Sequence, residues 1–337
     1  MKRVNTATAS FGALAILLAL IGLGAPAAGQ QPGSPRTGAP RQIGMPSRGH
    51  ASASSVSGSV DERDLRYAVT QVEVLPNQQS SFFPTSGSTI NNGGVVAGYS
   101  FSGALGASND FYLTAVGFIG EPGKLEALPL LGGWPGAFAF GITNNKQAFG
   151  VANNVDSAGN LVATPVVWDH GSPINLGTLL PNSTAAAIGM NNRGEVVGGS
   201  ISFDLNVETP FVWYKGQMKA LPLLPGAVGG EADGINDPGQ ITGFLDFGTT
   251  PPPGTGEFHS VLWTPKAGSY VVLDLGTLGG DFSTGQHINN RGQVVGYATD
   301  AQGFTHAYLW NGGPSKISVC YRAEHIALPS ASTSAGR

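Results

Sequence analysis

The sequence predicts an all-β protein, and three observations predict it. The 337-residue chain is only 11% charged and carries 51 glycines and 23 prolines. Long-chained helix formers are therefore scarce and helix breakers abundant. At 41% hydrophobic the chain is nonetheless too apolar to do without a core. Third, a turn followed by an apolar pair recurs five times at a spacing of roughly 50 residues, the mark of a small sheet repeated along the chain.

From the N-terminus, Lys2 and Arg3 precede an apolar run from Phe11 to Leu23 and an Ala25-Pro26-Ala27 step. This is the pattern of a secretory signal peptide over 1–29. The run is shorter than the roughly 20 residues that a membrane span needs, so no stable membrane insertion is expected after cleavage, and the protein is expected to be secreted or periplasmic. Residues 30–66 hold Gly, Ser, Pro, Ala and Arg with almost no large apolar residue, the composition of a disordered leader. Cys320 is the one cysteine, which excludes an intrachain disulfide.

The repeat domain is expected over 67–320. Its first block is an apolar residue, two Asn-rich positions, a variable position, Gly, an apolar pair and a closing Gly. Copies begin at Ile90, Ile142, Met190, Ile235 and Ile288, and their closing glycines fall at Gly98, Gly150, Gly198, Gly243 and Gly296. Asn side chains close turns on their own backbone and Gly accepts the left-handed conformation, so each copy predicts a tight hairpin. A second block ends in an aromatic: Val166-Val167-Trp168, Phe211-Val212-Trp213, Val261-Leu262-Trp263 and Tyr308-Leu309-Trp310, with Phe118 in the first unit. It is apolar on both parities, which predicts a strand covered on both faces. A third, Leu-rich block begins at Leu128, Leu176, Leu221 and Leu275 and is missing from the fifth unit.

Small antiparallel sheets sandwiched between copies of themselves predict a β-propeller of about five blades, with an open β-solenoid as the alternative. The alternating segment from Tyr67 to Leu75 stands before the first unit. This N-terminal strand is expected to fill the place of the missing strand in the fifth blade and close the ring without a free edge, with Lys316 to Cys320 competing for the same slot. The tail at 321–337 matches nothing in the repeat and is expected to be flexible.

These blocks resemble the HAF-type extracellular repeat family, named for a His-Ala-Phe step that appears here as His306-Ala307-Tyr308. The family's other two elements appear as Leu275 to Gly280 and Ile288 to Gly296. The resemblance covers about Tyr67 to Gly313. It implies a secreted bacterial protein of propeller-like architecture and carries over no catalytic residue.

The mature chain shows no Gly-x-Ser-x-Gly elbow, no His-Glu-x-x-His and no phosphate-binding loop. No cofactor and no metal site are expected. With 17 acidic and 8 basic residues between Tyr67 and Cys320, the ring offers no basic surface for nucleic acid. His259 and His306 stand four residues before their tryptophans, where the other units carry Thr114, Thr164 and Thr209. This polar column is either a structural hydrogen-bonding position or, if it faces a channel, a ligand site. Trp134, in Gly133-Trp134-Pro135-Gly136, has no counterpart in other units and is a candidate recognition residue. Asp237, Asp281 and Asp300 fall in or beside loops, and the Thr249–Gly256 insertion is a further unit-specific loop. The expected function is a non-enzymatic binding scaffold; its expected partners are a glycan, a peptide or a cell-envelope component, bound by a monomer. The alternative is a glycan hydrolase or lyase with acid and base residues at a channel mouth.

Overall fold

The computed structural model of the chain describes residues 72–84, 88–102, 110–157, 159–248, 257–312 and 318–319. The signal segment, the leader, residues 67–71 of the N-terminal strand, the 249–256 insertion, Cys320 and the tail lie outside them.

Five antiparallel four-stranded sheets follow one another along the chain, each a simple meander. The first is β1 (Ser80–Phe82), β2 (Val96–Phe101), β3 (Val116–Glu121) and β4 (Lys124–Ala127), with a short helix α1 (Asp110–Thr114) between β2 and β3. The second is β5 (Gly136–Ile142), β6 (Ala148–Val155), β7 (Leu161–Asp169) and β8 (Ser172–Asn175). The third is β9 (Ser183–Met190), β10 (Val196–Ser202), β11 (Val207–Tyr214) and β12 (Gln217–Ala220). The fourth is β13 (Gly229–Ile235), β14 (Ile241–Asp246), β15 (Phe258–Lys266) and β16 (Ser269–Gly276). The fifth is β17 (Gly279–Ile288), β18 (Val294–Asp300), β19 (Thr305–Trp310) and β20 (Ser318–Val319). One parallel pair, Phe258 with Phe282, ties the fourth sheet to the fifth.

The first strand of each sheet packs on the sheet before it: β5 on β2 and β3, β9 on β5 to β7, β13 on β9 to β11, and β17 on β13 to β15. These are propeller-like blades. No such packing joins the fifth sheet to the first among the described residues. The strands named for their aromatic are covered on both faces where a sheet lies on either side. Val166, Val167 and Trp168 are all buried, as are Val261, Leu262 and Trp263. In the fifth sheet Trp310 is buried and Leu309 is half-buried.

Each block of the repeat has a structural task. In the turn, the first Asn accepts backbone N–H groups two and four residues on. Asn191 Oδ1 takes those of Arg193 and Glu195 at 3.1 and 3.0 Å, and Asn289 Oδ1 takes those of Arg291 and Gln293 at 3.0 and 3.1 Å. The closing Gly faces a β-bulge in the first strand, where the register shifts in the second to fifth sheets. A Cβ on Gly150, Gly198, Gly243 or Gly296 would overlap the carbonyl oxygen of Phe138, Ala186, Glu231 or Thr284 respectively. The bulge brings backbone against backbone, and only Gly fits. The leading residue of the Leu-rich block is buried in every copy: Leu128, Leu176, Leu221 and Leu275. Except in the fourth sheet this block follows the fourth strand rather than forming it.

One expectation is corrected. The fourth strand of the fifth sheet is β20, paired through Tyr308 with Val319 and Leu309 with Ser318. The competing segment thus takes the slot, and residues 72–75, the described part of the N-terminal strand, do not. The described part of that strand lies instead on the first sheet. Leu75 packs with Val96 and Phe118, and Glu73 accepts the backbone N–H groups of Gly123 and Leu125 at 2.8 and 3.4 Å. The reason is local: β20 follows β19 through a short link, and pairing along the chain closes a smaller loop than pairing from the far end.

Candidate functional site

The meander puts two kinds of connection at opposite ends of every sheet. The Asn turns and the turns between third and fourth strands share one end. The second-to-third loops and the linkers to the next sheet share the other. At the turn end, neighbouring sheets are hydrogen-bonded in series. The backbone N–H of Asn92 donates to Asn144 Oδ1, that of Asn144 to Asn192 Oδ1, that of Asn192 to Asp237 Oδ1 and that of Asp237 to Asn290 Oδ1, all at 2.9–3.0 Å. Partial burial would raise the Asp237 carboxyl, but donors from Asn192 and Asn290 hold it below its ordinary value. This loop aspartate is therefore occupied by the turn ladder.

The loop end is different. Leu130, Val155, Leu180, Leu205, Leu223, Val228 and Phe304 are exposed there, with Leu205 and Phe304 at 65% and 66%. Trp134 lies in a linker at this end. It is half-buried rather than projecting, packed against the buried cluster of Ala97, Leu128, Ala137 and their neighbours between the first and second sheets.

The two candidate histidines are engaged by carboxylates. His259 on β15 meets Asp274 through Nδ1 at 3.0 Å and Glu257 through Nε2 at 2.8 Å. Burial works against its charge, but these two partners raise its pKa. Thr164, its counterpart in the second sheet, bonds Asn175 at the matching place on the fourth strand, 2.7 Å away. His306 on β19 meets Asp300 through Nε2 at 2.7 Å, and that bond holds the Asp300 carboxyl below its ordinary value. Asp281 accepts from Thr299 at 3.4 Å. The structure does not bring Trp134, His259 and His306 into one site: they lie on the first linker, the fourth sheet and the fifth sheet.

Three acids that the repeat pattern did not single out do come together. Glu208 on β11 and Glu231 and Asp233 on β13 meet between the third and fourth sheets. Glu231 is 1% exposed, and Glu208 Oε1 and Glu231 Oε2 lie out of solvent without a hydrogen-bonding donor. Gly199 makes room, since a Cβ there would overlap Glu208 Oε1. Thr284 of the fifth sheet donates to Asp233 Oδ2 at 3.0 Å. Burial, reinforced by Asp233 and Asp246, pushes Glu208 up to about 7. Burial also pushes Asp233 up to about 7, against the donors Glu231 and Thr284. Glu231 is raised well above its ordinary value, through burial and the charges of Glu208 and Asp233. Burial and mutual repulsion thus favour the protonated form at all three carboxyl groups. The signal for this cluster was broken symmetry: Glu231 and Asp233 replace Phe138 and Phe140 of β5 and Ala186 and Ile188 of β9. Among the described residues, no group of three or more His, Cys, Asp or Glu side chains is placed to hold a metal ion.

No protein-family model matches the sequence, and no curated protein matches it. The chain is structurally similar to β-propeller proteins. TolB from Acinetobacter baumannii is 10% identical, with a TM-score of 0.44 over 67% of this chain and 52% of TolB. A gluconolactonase from Xanthomonas campestris is 12% identical, with a TM-score of 0.31 over 58% of this chain and 64% of the enzyme. The β-propeller domain of the Trilobed protease from Pyrococcus furiosus is 9% identical, with a TM-score of 0.30 over 73% of this chain and 84% of that domain. The chain thus spans about half the length of TolB.

Proposed function

We propose that this is a secreted or periplasmic repeat protein of the HAF type, a non-enzymatic scaffold that binds a glycan, peptide or cell-envelope component at its loop end. The observation that carries this reading is the contrast between the two ends. Repeated polar residues at the turn end are consumed in holding sheets together, while the most exposed large apolar side chains, Leu205 and Phe304, stand among the loops. Exposed apolar groups on loops held by a rigid scaffold are the usual equipment of recognition. The HAF assignment is supported by the separate structural task of each block of the repeat.

The test is a screen of the purified full chain against glycan, peptidoglycan and peptide panels, followed by Leu205→Ser with Phe304→Ser. Binding that this pair abolishes and Lys215→Ala at the turn end leaves intact is expected. Binding indifferent to the loop pair, or none on any panel, overturns the reading.

A second reading, a glycan hydrolase or lyase, is favoured by the acid cluster alone, where burial raises the proton affinity of three neighbouring carboxyl groups, Glu208, Glu231 and Asp233. Release of reducing ends from a glycan panel, lost in Glu231→Gln, is its expected signature.

A further inference from the structure

Every junction between successive sheets is built alike: the forward face of one sheet meets the rear face of the next, and the turn ladder crosses between them. Among the described residues no sheet follows the fifth. The second residue of the apolar pair reports this directly. Ala97, Phe149, Val197 and Thr242, on the forward faces of the first four sheets, are 0%, 1%, 0% and 0% exposed, whereas Val295 is 42% exposed. The rear face shows the mirror image: Ile142 of the second sheet is 1% exposed, and its counterpart Ile90 of the first is 60% exposed.

The ladder is open at the same two places. In the third and fourth turns the Asn amide uses both hydrogens: Asn191 Nδ2 reaches Glu195 and Asn236 O, and Asn236 Nδ2 reaches Gln240 and Asn289 O. Asn289 Nδ2 makes only the first kind of bond, to Gln293 at 2.7 Å. Among the described residues the Asn290 backbone N–H has no acceptor, and Asn92 Oδ1, the group that would match it, has no donor. One end of the series offers donors and the other an acceptor, with an uncovered apolar residue beside each.

We propose that the fifth sheet of one molecule stacks on the first sheet of a second copy of this chain, repeating between molecules the junction made four times within each. A forward face is known from this chain to fit a rear face, and among the described sheets the first is the one whose rear face no other sheet covers. The N-terminal segment packs on Phe118 and Leu125, but Val74, Phe83 and Ile90 stay exposed. The contact is heterologous, so each copy keeps one donor face and one acceptor face. This replaces the monomer expected from the sequence and is independent of the loop-end reading.

Sedimentation of the full chain tests it. The wild type is expected to form dimers and longer species as concentration rises. Val295→Glu and Ile90→Glu should each be monomeric alone, yet an equimolar mixture should give dimers and nothing larger, because each variant retains the face that the other has lost. Both positions are exposed, and unchanged thermal unfolding checks that the variants fold. Persistent self-association of Ile90→Glu, which would mean fifth sheet on fifth sheet, overturns the proposal. A wild type that stays monomeric at every concentration overturns it as well.

Discussion

The indole Nε1 of Trp263 donates to the carbonyl oxygen of Pro222 at 2.8 Å, one repeat upstream, and Trp168 makes the same bond to Pro129 at 2.8 Å. Two blocks of the repeat thus interlock across a sheet junction: the aromatic of one unit holds the Leu-Pro step of the unit before it. Trp263 is wholly buried, and a buried carbonyl deprived of its donor costs about 1–3 kcal/mol. Trp263→Phe, which also removes part of the buried ring, is expected to lower unfolding free energy by at least that amount in denaturant titration. Tyr214→Phe, at an exposed ring, should be close to neutral.

The closing glycine gives a sharper contrast. Gly243→Ala drives a methyl into the Glu231 carbonyl, which the bulged backbone cannot vacate without losing its pairing. A loss of about 1–3 kcal/mol or more is expected. Gly132→Ala meets nothing within 4 Å and has no left-handed backbone requirement, so its melting temperature should stay near that of the wild type.

The acid cluster predicts an unusual pH dependence. Glu208 and Asp233 titrate near 7 when folded, against ordinary values of 4.5 and 3.8. Between those limits the folded protein holds more protons than the unfolded chain, so stability falls as pH rises through that window and levels off above it. The slope approaches about 1.4 kcal/mol per pH unit for each retained proton. Glu208→Gln should flatten the profile and raise stability at alkaline pH. His259, whose pKa is raised by Asp274 and Glu257, adds a loss of the same sign at higher pH, above its ordinary 6.5. The Glu208 variant separates the two. A wild-type melting temperature that climbs from acid to neutral pH would count against the cluster holding protons.

The turn ladder predicts a local effect with a distant reach. Asn236 is 3% exposed; its Oδ1 accepts from Gln240 N, and its Nδ2 reaches the Asn289 carbonyl in the next sheet. Asn236→Ala should therefore speed amide hydrogen exchange at the turns of both the fourth and the fifth sheets. Exchange confined to the fourth turn would show that the ladder does not couple them.

The sequence alone determined what is local. Turn chemistry at Asn191 and Asn289, the closing glycines and the two-sided strands at Trp168 and Trp263 were legible because each depends on a few neighbouring residues and recurs. The partners of those groups were not. That Asn192 reaches Asp237, that Trp263 holds Pro222, and that Ser318–Val319 rather than the N-terminal strand completes the fifth sheet depend on how whole sheets stack. Stacking also decided the burial of Glu208, Glu231 and Asp233. An acid's proton affinity is set by the dielectric and charges around it, and those come from three sheets distant in the chain. The exposure of Val295 has the same origin: its own unit reads like the others, and among the described residues no further sheet packs over it.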